Sequence, residues 1–148
     1  MKYELTEFLK TPKKVDLCDA KIDSIVCSEG TVRFTFSQGF SVITNNEEEA
    51  VSSGYVELSD CDAENFTCYI IHRESTRFGA RLSGEPLPLT ELAKIVNQQG
   101  REIEVFLELY DFNYLYWRGT LLPNKEDGLS DHVVIEAGGN FTLTYYWE

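Results

Sequence analysis

Histidine occurs twice in this chain of 148 residues, cysteine four times and methionine once, and from residue 34 to residue 72 there is neither lysine nor arginine. Each scarcity removes some chemistry. Nucleophilic catalysis of the Ser-His-Asp or Cys-His kind needs a histidine to take and return a proton, which leaves only His72 and His132. Cys68 and His72 fall on one face of the same expected strand, but four residues of strand separate them by about 13 Å, beyond hydrogen-bond reach. Cys18, Cys27, Cys61 and Cys68 are too few for a disulfide scaffold and too widely spaced for a zinc site, so they are expected as reduced core thiols of a cytoplasmic protein. No apolar run approaches the ~20 residues of a membrane span. The first ten residues mix acids with apolar side chains, unlike a secretory leader. No glycine pattern forms a phosphate cradle, and neither metal nor organic cofactor is expected.

Acid is abundant instead: 25 Asp and Glu stand against 13 Lys and Arg, a net charge of -12. Such a field repels nucleic acid and anionic membrane and favours a basic protein partner, or no partner at all, since acidity also simply keeps a domain in solution. Asp60-Cys61-Asp62-Ala63-Glu64 opens with alternate carboxylates like a calcium loop, yet it lacks the glycine and the distant glutamate of one, so a solvated loop is expected. Glu57, Glu102, Glu104, Glu108 and Glu136 lie on expected strands. Alternate glutamates are ordinary on the wet face of an antiparallel sheet, and nothing selects an acid–base pair among them.

The hydrophobic periodicity predicts a mainly β (β-rich α+β) chain. Its expected form is an antiparallel β-sandwich or partly open barrel of eight to nine short strands with one helix near residues 89–99, the whole of 1–148 making one globular domain. Residues 20–44 read as a three-stranded meander. A two-residue turn at Glu29-Gly30 pairs Cys27 with Val32, Ile25 with Phe34 and Asp23 with Phe36, and Gln38-Gly39 turns into Phe40–Ile43. Asn45–Ser53 reads as a loop. Strands over Tyr55–Ser59, Phe66–Arg73 and Arg77–Leu82 follow, and Gly84, Pro86 and Pro88 are expected to stop pairing. Leu89, Leu92, Ala93 and Val96 recur at helical spacing and Gly100 stands where a helix ends. Two hairpins with three-residue loops close the chain. Asp111-Phe112-Asn113 sets Leu109 opposite Leu115, Leu107 opposite Trp117 and Ile103 opposite Leu121. Gly138-Gly139-Asn140 sets Ala137 opposite Phe141, Ile135 opposite Leu143 and Val133 opposite Tyr145, with His132 across from Tyr146.

In that register the outer face of the first hairpin carries Phe106, Glu108, Tyr110, Tyr114, Tyr116 and Arg118. Tyr110 then pairs with Tyr114, Glu108 with Tyr116 and Phe106 with Arg118, a composition typical of protein interfaces if the face is open and of core if the helix or another sheet covers it. Arg73, Arg77 and Arg81 form a second candidate, an anion site, if one strand face carries all three. His72 is expected at the edge of the core, bonded to backbone. The reading that follows is a small acidic, non-enzymatic protein-binding domain of inhibitor or immunity type that recognises a basic partner and self-associates as a homodimer. The alternative is a β-domain for a small ligand or carbohydrate. An enzyme built on carboxylates is the third.

Overall fold

The structure is a computed structural model that describes residues 1–5, 14–111, 113–126 and 128–148, with only the backbone described for 3–5. Among the described residues the chain is mostly strand, with one α-helix. In chain order the first eight strands are β1 (Lys2–Leu5), β2 (Val15–Asp16), β3 (Lys21–Ile22), β4 (Ser24–Ser28), β5 (Thr31–Phe36), β6 (Ser41–Thr44), β7 (Glu47–Ala50) and β8 (Gly54–Ser59). There follow β9 (Phe66–Thr76), β10 (Gly79–Leu87), helix α1 (Leu89–Gln99), β11 (Ile103–Asp111), β12 (Tyr114–Leu121), β13 (His132–Gly138) and β14 (Thr142–Trp147). All pairing is antiparallel, in a five-stranded sheet β1-β14-β8-β5-β4, a six-stranded sheet β10-β9-β13-β12-β11-β3 and a small sheet β2-β6-β7. The expected β-rich sandwich is therefore present, with more strands than the eight or nine anticipated.

The two larger sheets bury their inner faces against each other. Phe34 of β5 meets Trp117 of β12 edge-on at 5.1 Å between ring centroids and lies 5.8 Å from Phe66 of β9. Ile25, Val32, Val56, Leu58 and Leu143 from one sheet and Ile103, Val105, Leu115, Leu121, Val133 and Ile135 from the other complete one continuous core. Helix α1 buries Leu89, Leu92, Ala93 and Val96, the stripe its spacing implied, and ends on Gly100 in the left-handed conformation. It packs on β4 and β9. From there the Asn97 side chain accepts from Ile25 N–H at 2.9 Å and donates to Ile25 C=O at 2.7 Å, satisfying the edge of β4 as a neighbouring strand would.

Several local expectations are met and several are replaced. Cys27 faces Val32 and Ile25 faces Phe34 around the Glu29-Gly30 turn, but β5 pairs next with β8, and β6 leaves to join β2 and β7. Asn45–Ser53 is not all loop: Asn45 and Asn46 both take positive φ, the primed hairpin turn, and β7 returns along β6. β10 runs through Gly84 and Pro86 to Leu87, because as an edge strand it can leave a proline nitrogen unpaired. The largest replacement concerns the end of the chain. Gly138-Gly139-Asn140 does not turn a hairpin; β13 is already paired on both sides, with β12 and β9, so the chain crosses to the other sheet and β14 settles between β1 and β8. His132 accordingly stands beside Thr120 and Ile71, not Tyr146.

Candidate functional site

The β11–β12 hairpin decides which side chains face outward. Ile103 pairs with Leu121 as expected, and Val105 pairs with Gly119, but the register then shifts. Leu107 faces Arg118, Glu108 faces Trp117, Leu109 faces Tyr116, Tyr110 faces Leu115 and Asp111 faces Tyr114. The loop is two residues long, and the extra residue is a bulge at Phe106. Gly119 marks the place: a Cβ there would lie 2.7 Å from the Glu104 carbonyl oxygen, so only glycine lets β11 press this close as it bends. Asn113 closes the tight turn in the left-handed conformation, at φ 58°.

The bulge reverses the expected facing of Glu108 and Tyr110. Both lie on the side of buried Trp117. The Trp117 indole N–H donates to the Tyr110 hydroxyl at 3.1 Å, Tyr145 donates to the same oxygen at 2.9 Å, and Tyr110 donates to Glu108 at 2.7 Å. The second Glu108 oxygen accepts from the backbone N–H of Leu17 at 2.9 Å. Burial, then the neighbouring Tyr145 and Glu108, hold the Tyr110 hydroxyl far above the usual tyrosine range. The expected pairs Tyr110–Tyr114, Glu108–Tyr116 and Phe106–Arg118 do not form. The physical reason is that a buried indole N–H needs an acceptor, which Tyr110 supplies and Leu109 could not.

Leu107 and Leu109 are turned out instead, and Leu109 is 53% exposed. Phe106, Tyr114, Tyr116 and Arg118 keep their outward side. Of the nine large apolar side chains exposed among the described residues, six lie on this face of the six-stranded sheet: Tyr69, Leu82, Phe106, Leu107, Leu109 and Tyr114. Helix α1 is placed on β4 and β9 and does not bury them.

Arg73, Arg77 and Arg81 do not form a common site. Arg81 pairs with Glu74 and Leu82 with Arg73, so residues 73 and 81 point to opposite sides of the sheet, and Arg77 sits in the β9–β10 turn beside Phe78. Arg73 joins the aromatic face. One of its terminal nitrogens lies 2.9 Å from His132 Nε2 and 3.5 Å from the Ser130 carbonyl, while Arg118 Nη2 lies 3.0 Å from His132 Nδ1. Phe106 closes the group, its ring edge-on to His132 at 5.0 Å between centroids. Sequence reasoning missed His132 because it assigned β13 to the wrong neighbour.

The two histidines occupy opposite electrostatic settings. His72, expected against backbone, instead contacts Glu85 at 2.9 Å and Asp131 at 3.2 Å. The hydrogen bond to Glu85 raises its pKa above the ordinary value, burial opposes that, and Asp131 adds to the rise. Burial lowers the pKa of His132, and the Arg73 and Arg118 charges lower it further, against a weaker opposing effect of Asp131. Titration by NMR should therefore split the two imidazoles around 6.5, His72 above and His132 below. The stabilising contacts of His72 are complete below pH 6.5 and fade as pH rises through its folded pKa. At His132 the unfolded chain binds the proton more readily, so stability is lost as pH falls from 6.5 through its folded pKa. A His132 curve centred at or above 6.5 would contradict this arrangement.

The other groups singled out have structural surroundings. Cys61 and Cys68 are buried, and burial first pushes their thiols up to about 11 and about 12. Cys27 is half-buried and Cys18 is exposed, so the core holds two of the four. Glu57 is held by Arg33 at 2.8 Å. Asp62 accepts from Gly30 N–H at 2.8 Å and starts a short 3-10 turn at Ala63–Asn65. Among the described residues no His, Cys, Asp and Glu cluster is arranged to hold a metal ion. A shallow cleft of about 450 Å³ runs past Tyr55, Tyr146 and Trp147 on the five-stranded sheet. Its two tyrosines stack on each other at 4.5 Å, with Arg33 over Tyr55 and Lys2 beside Tyr146, so neighbouring strands already occupy the ring faces a sugar would use. Compared with protein-family models, curated proteins and solved structures, the chain matches none.

Proposed function

We propose that this chain is a protein-binding domain whose docking surface is the outer face of the six-stranded sheet, around Phe106, Leu107, Leu109, Tyr114, Tyr116 and Arg118. The observation that carries the reading is the inversion along β11, where Leu107 and Leu109 face out while Glu108 and Tyr110 face in. Exposing two leucines beside a phenylalanine and tyrosines costs solvation in the isolated chain and is offset when a partner covers them. Tyr and Arg are also side chains that concentrate binding energy at interfaces, and Phe is enriched there.

The partner is a protein of net positive charge, steered by the -12 field of this one. A second copy fits less well, since it would bring two bodies of charge -12 together and set the arginine clusters of the two faces against each other. The experiment is affinity capture with the wild-type chain, with Phe106→Ser/Leu109→Ser, and with Val26→Ser as an exposed control on the other sheet. A protein retained by wild type and control, released by salt and lost from the double variant is the expected result. Identical retention by all three chains, with unchanged melting curves, would remove this face from the function. Sedimentation should show the free chain to be monomeric.

A further inference from the structure

We infer that Arg73, His132 and Arg118 form a binding site for a single carboxylate, presented by an aspartate or glutamate side chain of the partner; the source of that carboxylate rests on the docking reading above. The cluster has donors in excess. A neutral imidazole offers one N–H and one lone pair, whereas a guanidinium only donates. Since guanidinium nitrogens stand at both ring nitrogens of His132, at 2.9 and 3.0 Å, one contact is a hydrogen bond and the other sets N–H against N–H. Among the described residues neither arginine forms an ion pair, and Arg118 Nε is buried without a hydrogen-bond partner. The carboxylates nearest in register on this face, Glu136 and Glu104, accompany Tyr116 and Thr120. Asp131, next in sequence, is engaged by Lys125, His72 and the Arg73 backbone N–H.

An acceptor with two oxygens resolves this imbalance, and the guanidinium fork matches a carboxylate. The surroundings select a monoanion. Val134 is buried between the strands bearing Arg73 and Arg118, with Phe106 and Leu107 alongside, and the net charge of -12 opposes a phosphate dianion more strongly than a carboxylate. Long-range attraction thus selects a basic partner, while this cluster sets the register in which it docks.

The test uses the intact chain and acetate at constant ionic strength, with chloride as balance and the His132 ring signals as readout. Wild type should show a saturable shift together with a rise in the His132 pKa. Binding should weaken at least about tenfold in Arg118→Gln and Arg73→Gln, partly in Arg118→Lys, which keeps charge but not the fork, and not in Arg33→Gln on the other sheet. A response no different from chloride overturns the site, and tighter binding of inorganic phosphate overturns its chemical class. Arg118→Gln should also lower retention of the captured partner. If capture depends on Phe106 and Leu109 but acetate does not bind, docking stands and this inference falls. If acetate binds and capture is indifferent to both the apolar face and Arg118, the docking reading falls and the carboxylate is not a partner's side chain.

Discussion

Trp117→Ala is expected to remove about 3–5 kcal/mol of unfolding free energy, the range for truncating a buried aromatic. Against the about 5–15 kcal/mol that holds a typical domain together, that is a large share. Three losses combine at this position. Trp117 is 1% exposed at the centre of β12, its ring contacts Phe34 across the sandwich, and its indole N–H is tied to Tyr110. Alanine leaves a cavity between the two larger sheets and removes a donor from the Tyr110–Tyr145–Glu108 group. Urea unfolding followed by far-ultraviolet circular dichroism measures the cost from the midpoint, with the slope unchanged if the unfolded state is unaffected. A loss under about 1 kcal/mol would mean that the sheets do not meet at this residue.

Tyr110→Phe should cost about 1–3 kcal/mol although it deletes one oxygen atom, because it strands the buried Trp117 N–H without an acceptor. The Tyr145 hydroxyl loses the same partner, and Glu108 loses a donor. Leu109→Ser, one position away and turned to solvent, should stay within about 0.5 kcal/mol of wild type. The comparison isolates the bulge at Phe106. An unbulged hairpin would put Tyr110 outside and Leu109 inside, and the two costs would exchange rank. The order of the two melting midpoints decides between the registers without further structural work.

Much of the architecture was legible from local pattern. Alternation over Ser24–Phe36, the Glu29-Gly30 turn and the 89, 92, 93, 96 stripe before Gly100 each rest on interactions within one hairpin or one helix, so the residues that form them are close in sequence. The alternation of Tyr114, Tyr116 and Arg118 away from Trp117 was legible for the same reason. At the β11–β12 hairpin, reading by alternation went astray because a buried hydrogen bond, which alternation does not count, decided the register. The three-residue loop at Asp111–Asn113 gave good pairs of leucine and tryptophan, but it left the indole N–H of Trp117 with no acceptor. Gly119 inside a strand was the available sign of a bend, since glycine there marks a bulge or a close backbone approach.

The candidate site depended still more on the tertiary structure. Arg73 and Arg118 are 45 positions apart in sequence and by pattern alone belong to different candidate sites. They come together because β13 inserts between β9 and β12 and carries His132 to both. Nothing in the Val133-Val134-Ile135 run tells which strands flank it, because a strand buried on both faces loses the alternation that would reveal its partners. The sequence by itself determined the β-rich class, the helix and its end, the Glu29-Gly30 turn, and a charge of -12 that acts through space whatever the fold. Only the tertiary structure decided which strands became neighbours, which face Leu109 and Tyr110 took, and that two arginines share one histidine. Those outcomes follow from long-range pairing, which no short window of residues contains, and from the hydrogen-bond demand that burial places on Trp117, which alternation of apolar and polar residues does not count.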